Sequence, residues 1–314
     1  MKALVTGGSG FIGAHLVDEL AAAGWKVKVL DLFNRRFGSF PHGVELVRGD
    51  VSNDYALREA LVDVDVVFHL AWGSIHEVAT RDPLQDIEMN VIPSVRLIDH
   101  CRTIGVQRVV FLSSGGTVYG PAKYLPIDEA HPTDPISAYG VTKLMVEKYL
   151  QMYHHVCGLD YVVLRPSVPY GPGQDPRRRQ GAVNVFLYRQ TKGEPIQIWG
   201  DGSVVRDYFF IDDLVSAAVQ ATIVQELDRG RIFNIGGGRG YSLNELVQVV
   251  EQVTGRPAKV EYQPGRHFDV PSVILDTSHA AARLKWTPKV KLLDGVGRTW
   301  EWIVGLKALD SSGI

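Results

Sequence analysis

The sequence predicts an α/β protein built on a doubly wound parallel sheet, followed by a smaller C-terminal α/β lobe. Apolar strand segments alternate with helical patterns over the first half of the 314 residues. This alternation is typical of a parallel sheet covered by helices on both faces. After Tyr170, proline and glycine become frequent and the predicted strands become short. With 45% hydrophobic residues, a chain of this length can bury a large core.

The first predicted strand, over residues 2–6, leads directly into a glycine-rich loop and then a helix. Because Gly7, Gly10 and Gly13 stand three apart, the backbone can turn sharply, approach a pyrophosphate and pack the helix on its strand. The start of the helix supplies free N–H groups and a positive dipole end for phosphates. A glycine loop between a strand and a helix predicts a Rossmann-type dinucleotide site.

An acidic residue closes the second predicted strand. This strand covers residues 26–30 and leads into Asp31. The carboxylate can accept hydrogen bonds from both hydroxyls of an adenosine ribose, whereas it would repel the 2′-phosphate of NADP. The sequence therefore predicts NAD as the cofactor. Arg35 and Arg36 follow closely and keep NADP open as an alternative.

Further strand and helix patterns continue the alternation. Buried strands are predicted at 44–47, 64–70, 108–113 and 161–165. Apolar residues recur at helical spacing over residues 84–98, where Pro93 is expected to kink or split the helix. A strand near 231–236 is expected to return to the first sheet. The predicted domains are a dinucleotide-binding domain, 1–169, and a smaller lobe, 170–314.

Tyr139 and Lys143 form a candidate catalytic pair. Their spacing of four places both side chains on one helix face, one turn apart. A phenol with a pKa near ~10 is a poor base at neutral pH. A nearby ammonium and a positive nicotinamide ring are expected to lower that pKa, and a shift to about 7 requires roughly 4 kcal/mol of differential stabilisation.

Charge and cysteine content exclude several functions. A net charge of −2 gives no electrostatic footprint for nucleic acid or an anionic membrane. The only two cysteines, Cys101 and Cys157, have no metal or disulfide spacing, so both are expected to be packing residues in a reduced cytoplasmic setting. A strand that starts at residue 2 leaves no place for a signal peptide, and no apolar run approaches the ~18 residues of a membrane span.

Taken together, these motifs resemble the extended short-chain dehydrogenase/reductase superfamily and, within it, the UDP-glucose 4-epimerase group. The resemblance covers nearly the whole chain. Besides the glycine loop and Tyr139/Lys143, the segments that fall in the family's order are 49–51, 69–71, Asn90, 113–120, 164–166, 170–172, 200–203 and 206–208. The resemblance implies a homodimeric, NAD-dependent epimerase that inverts C4 of a UDP-hexose or UDP-N-acetylhexosamine through a 4-keto sugar.

The resemblance also assigns residues to the cofactor. Lys143 is implied to hold the hydroxyls of the nicotinamide ribose and Tyr139 to act as the base. The cofactor-binding residues that the resemblance implies are Gly7, Gly10, Phe11, Ile12, Gly13, Asp31, Asp50, Val51, Leu70, Ala71, Asn90, Ser113, Tyr139 and Lys143.

The chain departs from the family where a hydroxyl normally relays the sugar proton to the tyrosine. That position falls on Gly115. Thr117 stands two residues further along the predicted strand, which would place its side chain on the same side. We therefore predict Thr117 as the relay, with Ser114 second. Gly115 and Gly116 are expected to leave room near the sugar ring for a bulkier substituent or for water.

On the substrate side, the resemblance implies a set of contacts with one further departure. Val168 stands where the family commonly has an asparagine that binds the sugar nucleotide. Arg206 and Arg266 match two arginines that grip the diphosphate, which suits their planar guanidinium groups. The other implied substrate residues are Ala182 and Val183 near the uracil, Asp269 near the ribose or an arginine, and Val273 at the wall beside the sugar's 2-substituent.

Three other functions remain open from the sequence. A nucleotide-sugar dehydratase or decarboxylase begins with the same oxidation at C4. A 4,6-dehydratase of the known kind has Asp-Glu where this chain has Gly116 and Thr117, so the absence of these acids argues against that reaction. A 5,6-dehydratase, which would use another acid/base arrangement, stays open. A ketoreductase that exchanges its cofactor is the second alternative. A non-catalytic dinucleotide-binding regulator is the third, and the intact Tyr139/Lys143 pair argues against it.

Overall fold

The strands and helices alternate along most of the chain. The computed structural model describes residues 1–34, 37–74, 76–178, 181–225, 227, 230–265 and 270–311. Its strands are β1 (Lys2–Thr6), β2 (Lys26–Asp31), β3 (Glu45–Arg48), β4 (Val66–His69), β5 (Arg108–Leu112), β6 (Tyr161–Pro166), β7 (Val168–Tyr170), β8 (Ile196–Trp199), β9 (Val205–Phe210), β10 (Ile232–Ile235), β11 (Gly240–Ser242), β12 (Val260–Gln263) and β13 (Ser272–Val273).

Helices fill most of the connections. They are α1 (Phe11–Ala22), α2 (Asp54–Ala60), α3 (His76–Arg81), α4 (Pro83–Asp86), α5 (Ile92–Ile104), α6 (Ala138–Cys157), α7 (Ala182–Lys192), α8 (Ile211–Ile223), α9 (Leu243–Thr254), α10 (Ser278–Arg283) and α11 (Leu292–Ser311). A π-helical turn, Ile87–Val91, joins α4 to α5. The break predicted at Pro93 is therefore confirmed, since this proline is the second residue of α5, just after the π turn, and has no N–H to continue the helical hydrogen bonds behind it.

Among the described residues, seven parallel strands form the main sheet in the order β10-β6-β5-β4-β1-β2-β3. The predicted Rossmann-type doubly wound sheet is confirmed. The order reverses between β1 and β4, and in such sheets ligands bind at this switch point, beyond the carboxyl ends of the strands. The late strand β10 joins this sheet by pairing in parallel with β6, Phe233 opposite Leu164.

Both faces of the main sheet are buried, which explains why its strands are apolar throughout. Ala3 and Val5 belong to one core cluster and Leu4, between them, to another. Alternate residues of a strand point to opposite faces, so each face of β1 packs against its own layer. Cys101 is buried in the second cluster. Cys157 is exposed at the end of α6, so the prediction that both cysteines pack inside is wrong for Cys157.

Among the described residues, the remaining strands form two smaller sheets. Strand β9 pairs with β7, β11 and β13, and β8 pairs with β12. Helices α7, α9 and α11 pack on one another beside them. In the part of the chain that the structure describes, no helix is both long and apolar enough to cross a bilayer.

Candidate active site

The loop between β1 and α1 is shaped by glycines that have no space for a side chain. Gly7 has φ +73°, and a Cβ there would lie 2.8 Å from the backbone of Ala71. A Cβ on Gly13 would lie 2.2 Å from the carbonyl oxygen of Gly7. Helix α1 starts without a side-chain cap at Gly10, so the N–H groups of its first turn, at Phe11 and Ile12, remain available for phosphate. This cradle fits the pyrophosphate of a dinucleotide.

Asp31 is held in place at the end of β2. Its carboxylate accepts hydrogen bonds from the backbone N–H groups of Ser9, at 3.0 Å, and Phe33, at 3.1 Å. These bonds tie the acid to the glycine loop and fix its oxygens beside that loop, where the ribose of a dinucleotide would lie. Gly8, which the sequence analysis did not single out, is also required, because a Cβ there would lie 2.7 Å from Val29 Cγ1.

The other residues predicted for the cofactor lie around the same edge. Leu70 and Ala71 donate their N–H groups to Thr6 Oγ1, each at 3.2 Å, which joins the loop after β4 to β1. Asp50 is exposed after β3 and accepts a hydrogen bond from Ser52 N at 2.7 Å, with Val51 beside it. The glycine cradle, the free helix start and the acid after β2 together fit NAD.

Two predicted cofactor residues use their side chains within the protein. Asn90 is buried, and its Oδ1 accepts from Gly73 N at 2.7 Å while its Nδ2 donates to Asp86 at 2.8 Å. Ser113 is also buried and donates to Glu147 Oε1 at 2.5 Å. Both side chains therefore support the shape of the site through protein contacts.

Tyr139 and Lys143 lie in the first turns of α6, close to the carboxyl end of β5. Ser137 caps this helix by accepting a hydrogen bond from Gly140 N. Lys143 is buried, its Nζ donates to the carbonyl of Leu112 at 2.7 Å, and it lies 5.8 Å from the centre of the Tyr139 ring. The indole of Trp72 covers the same ammonium and meets the Tyr139 ring edge-on at 6.1 Å between centroids.

The protein's own groups shift both pKa values, and for Tyr139 the direction opposes the prediction. Burial raises the pKa of Tyr139, and the negative charge of Asp86 raises it further. Burial lowers the pKa of Lys143 to about 7, opposed by Glu147 and Asp86. The expectation of a lowered Tyr139 pKa, which joined the Lys143 ammonium to a positive nicotinamide ring, is wrong for the protein alone, because desolvation of the phenolate dominates and Asp86 adds to it.

The segment after β5 is a turn. The carbonyl of Ser114 accepts hydrogen bonds from Thr117 N at 3.3 Å and Val118 N at 3.1 Å. Because this segment is not a strand, side chains two residues apart do not point to the same side. The prediction that strand geometry places the Thr117 side chain on the same side as residue 115 is therefore wrong. The turn still packs on α6, because a Cβ on Gly140 would lie 2.7 Å from the Thr117 carbonyl oxygen. Thr117 Oγ1 is buried and has no hydrogen-bond partner among the described residues.

Gly115 and Gly116 differ in their surroundings. A Cβ on Gly115 would lie 2.6 Å from Leu275 Cδ1 and 2.8 Å from the carbonyl oxygen of Arg165. The expected room at Gly115 is therefore absent, because a leucine from the segment after β13 fills it. A Cβ on Gly116 would meet no atom of the described residues within 4 Å. Of these two glycines, only Gly116 therefore has open space beside it among the described residues.

The residues predicted for the substrate lie on β7, α7, β9 and β13. Arg206 is on β9, where its Nη1 donates to the carbonyl of Val270 at 2.7 Å. Val273 is opposite Arg206 across the β9–β13 pairing and is buried in an apolar cluster with Leu275. Half-buried Val168 begins β7. Ala182 and Val183 begin α7, with Val183 in the core. Arg266, Asp269, Arg35 and Arg36 lie outside the described residues.

The family model described as NAD dependent epimerase/dehydratase family matches residues 3–236 of this chain. The chain belongs to this family. The UDP-glucose 4-epimerase of Mycolicibacterium smegmatis is 37% identical, over 96% of this chain and 98% of its own length. These matches confirm the resemblance drawn from the motifs.

Two solved structures agree over the whole fold of this epimerase/dehydratase family member. The UDP-glucose 4-epimerase of Thermotoga maritima, solved with UDP-glucose, superposes with a TM-score of 0.93 at 36% identity and covers 98% of this chain and 100% of its own. The UDP-glucose 4-epimerase of Thermus thermophilus, solved with NAD, gives a TM-score of 0.89 at 34% identity, covering 97% and 99%.

Sequence reasoning missed one buried acid of this family member's site. Asp86 is 2% exposed at the end of α4 and accepts hydrogen bonds from Asn90 Nδ2 and, at 2.6 Å, from Thr142 Oγ1. Thr142 is buried on α6 between the two residues of the candidate pair. The available signal was the four-residue spacing from Asp86 to Asn90, which puts both on one face of a helix.

Proposed function

We propose that this protein is an NAD-dependent 4-epimerase of a UDP-hexose or UDP-N-acetylhexosamine. The observation that carries the proposal is that Tyr139 and the buried Lys143 lie together at the carboxyl end of β5, on the edge of the sheet that also carries the glycine loop after β1 and Asp31 at the end of β2. The similarity to the UDP-glucose 4-epimerases of M. smegmatis and T. maritima supports the substrate class.

Bound NAD would supply the acceptor for the hydride of the sugar C4 and, once reduced, the donor of that hydride to the opposite face of the 4-keto sugar. Gly7, Gly10, Gly13 and Asp31 hold the cofactor in this proposal. Tyr139 takes the proton of the 4-hydroxyl and gives it back after the sugar has turned. Lys143 holds the nicotinamide ribose, and in the NAD-loaded protein its positive charge together with that of the nicotinamide ring would favour the phenolate.

The proton passes to Tyr139 through Thr117 in this proposal, with Ser114 as the second candidate. The support is that Thr117 Oγ1 is buried without a hydrogen-bond partner among the described residues, on a turn packed against α6. A buried hydroxyl without a partner in the protein can form a hydrogen bond with a sugar oxygen. Water in a space at Gly115 is not part of the proposal, because Leu275 fills that space.

The lobe holds the nucleotide while the keto sugar turns. Arg206 and Arg266 are proposed to bind the diphosphate, Asp269 the ribose or an arginine, and Ala182 with Val183 the uracil. Val168 brings no amide to this pocket, so the sugar depends more on the Thr117 turn and on the wall at Val273. We keep the proposed division into residues 1–169 for NAD and 170–314 for the sugar nucleotide, with β10 returned to the first part.

A homodimer and a cytoplasmic location complete the proposal. Val141, Tyr149, Met152 and Val156 are exposed along one face of α6, at spacings that a helix brings into line. Ile92 is exposed on α5, which packs beside α6. An apolar face of two adjacent helices supports association with a second copy through a four-helix contact. Cys101 and Cys157 are free thiols, which supports a reducing compartment.

The deciding experiment is to incubate the purified protein with UDP-glucose, UDP-galactose, UDP-glucuronic acid and UDP-N-acetylglucosamine and to identify the products by proton NMR. Inversion at C4 without loss of water or carbon dioxide is the expected result. Loss of either would show a dehydratase or decarboxylase instead. Retention of NAD through purification is expected for an epimerase and would argue against a ketoreductase that exchanges its cofactor.

A further inference from the structure

A hydrogen-bonded network of buried residues, linked through side chains and the backbone carbonyl of Asn90, runs behind Tyr139 and Lys143. It joins the end of β1, the end of β4, the helices around the π turn and α6. Each member is no more than 3% exposed. In order, its members are Thr6, His69, Ser94, Asn90, Asp86 and Thr142.

The direction of the hydrogen bonds is determined along the first part of this network. Burial lowers the pKa of His69 to about 3, so its ring is neutral and donates from one nitrogen only. Ser94 donates to the carbonyl of Asn90 at 2.5 Å, so it accepts from Nε2 of His69 at 2.7 Å. Nδ1 then accepts from Thr6 Oγ1 at 2.8 Å. Thr6 Oγ1 in turn accepts from the loop after β4.

The network ends on a carboxylate that is held by neutral donors. Asp86 Oδ1 accepts from Asn90 Nδ2 at 2.8 Å and from Ser74 Oγ, and Oδ2 accepts from Thr142 Oγ1 at 2.6 Å. Charged hydrogen bonds of this kind are strong, and a buried carboxylate without them would be costly. The charge therefore stays in a defined place beside α6.

Two other titratable groups lie near the pair. Glu147, on the next turn of α6, is paired with Arg165 from β6 at 2.5 Å and also accepts from Ser113. His69 from β4 is neutral. Glu147 still raises the pKa of Lys143, whereas Asp86 raises the pKa of both Lys143 and Tyr139.

We propose that Asp86 is a positioning residue, which anchors the turn of α6 between Tyr139 and Lys143 through Thr142. Its negative charge, held beside that turn, favours the protonated forms of both side chains. The role assigned to the pair rests on the proposed function. Because negative charge favours an ammonium and disfavours a phenolate, removal of the charge lowers the pKa of both groups. Tyr139 then ionises at lower pH, and Lys143 loses its proton at lower pH.

The test compares Asp86→Asn with Asp99→Asn, a half-exposed acid on α5, in the NAD-loaded protein. The pH profile of kcat should have an acid limb, set by ionisation of Tyr139, and an alkaline limb, set by loss of the Lys143 proton. Asp86→Asn should move both limbs to lower pH by roughly one unit. Asp99→Asn should leave both limbs in place. A lower plateau with unmoved limbs would mean that Asp86 acts through shape alone and would overturn the proposal.

A second readout keeps the inference separate from the proposed function. Ultraviolet absorbance of the tyrosinate, corrected with Tyr139→Phe, reports the ionisation of Tyr139 without turnover. An acid shift of that titration in Asp86→Asn supports the proposal even if no UDP-sugar is epimerised, and an unmoved titration refutes it.

Thr142→Val covers the case in which Asp86→Asn fails to fold. This variant removes the anchor and keeps the charge. We expect the plateau of its kcat to fall by about tenfold or more, which is at the lower end of the rate loss caused by misplaced catalytic groups. Both limbs of its pH profile should stay where they are in the wild type. A plateau equal to that of the wild type would refute the anchoring role.

Discussion

The ammonium of Lys143 lies 3.7 Å from the centre of the Trp72 indole ring, directly over its face. The same indole meets the ring of Tyr139 edge-on, and its own N–H is buried without a hydrogen-bond partner among the described residues. Trp72 therefore contacts both members of the catalytic pair. A desolvated cation–π contact of this kind stabilises the charged lysine by about 2 kcal/mol.

Trp72→Leu should lower the pKa of Lys143 below its value of about 7, because the contact that favours the ammonium is lost. The ammonium would then be lost at lower pH, so the alkaline limb of the pH profile of kcat should move toward acid. Trp72→Phe should move it less, since benzene is a weaker partner for a cation. Trp199→Leu, at a half-exposed site on β8, is the matched control and should leave the limb unchanged.

Tyr139→Phe should abolish turnover and leave NAD bound, because the phenol transfers the proton and the glycine cradle is untouched. Loss of a general base usually costs ~10²–10⁴-fold in rate. Measurement of kcat together with the NAD content of the purified variant checks both parts. Activity within about tenfold of the wild type would refute the assignment of Tyr139 as the base.

Thr117→Val should reduce kcat strongly, whereas Ser114→Ala should have the smaller effect. The reason is that Thr117 Oγ1 is buried and has no partner among the described residues. Parallel measurement of kcat for the two variants, each with its thermal stability as the control, tests the order. The reverse order would make Ser114 the relay.

UDP-N-acetylhexosamines should be accepted as substrates, because valine at position 273 is much smaller than the tyrosine that closes this wall in enzymes restricted to UDP-glucose and UDP-galactose. The comparison is of kcat/KM for UDP-glucose and UDP-N-acetylglucosamine in the wild type and in Val273→Tyr. Since Val273 is buried against Leu275, circular dichroism must first show that the variant folds. Rejection of the acetamido sugar by the wild type, or equal use of it by the tyrosine variant, would contradict the steric argument.

Local patterns in the sequence were sufficient for the parts of this protein whose geometry is short-range. The spacing of Gly7, Gly10 and Gly13 determines a tight turn that starts a helix, and Tyr139 and Lys143 share a helix face because they are four residues apart. The apolar alternation of strands and helices predicted the parallel sheet. Each of these properties follows from backbone geometry over a few residues.

The tertiary structure alone decided what surrounds those residues. Leu275 fills the space at Gly115 although it is far away in sequence, and Asp86 reaches α6 only because the π turn packs against it. The pKa of Tyr139 is raised because the surrounding elements desolvate the phenol and because Asp86 lies nearby. Solvation and packing depend on atoms brought together from several elements, and no spacing along the chain records them.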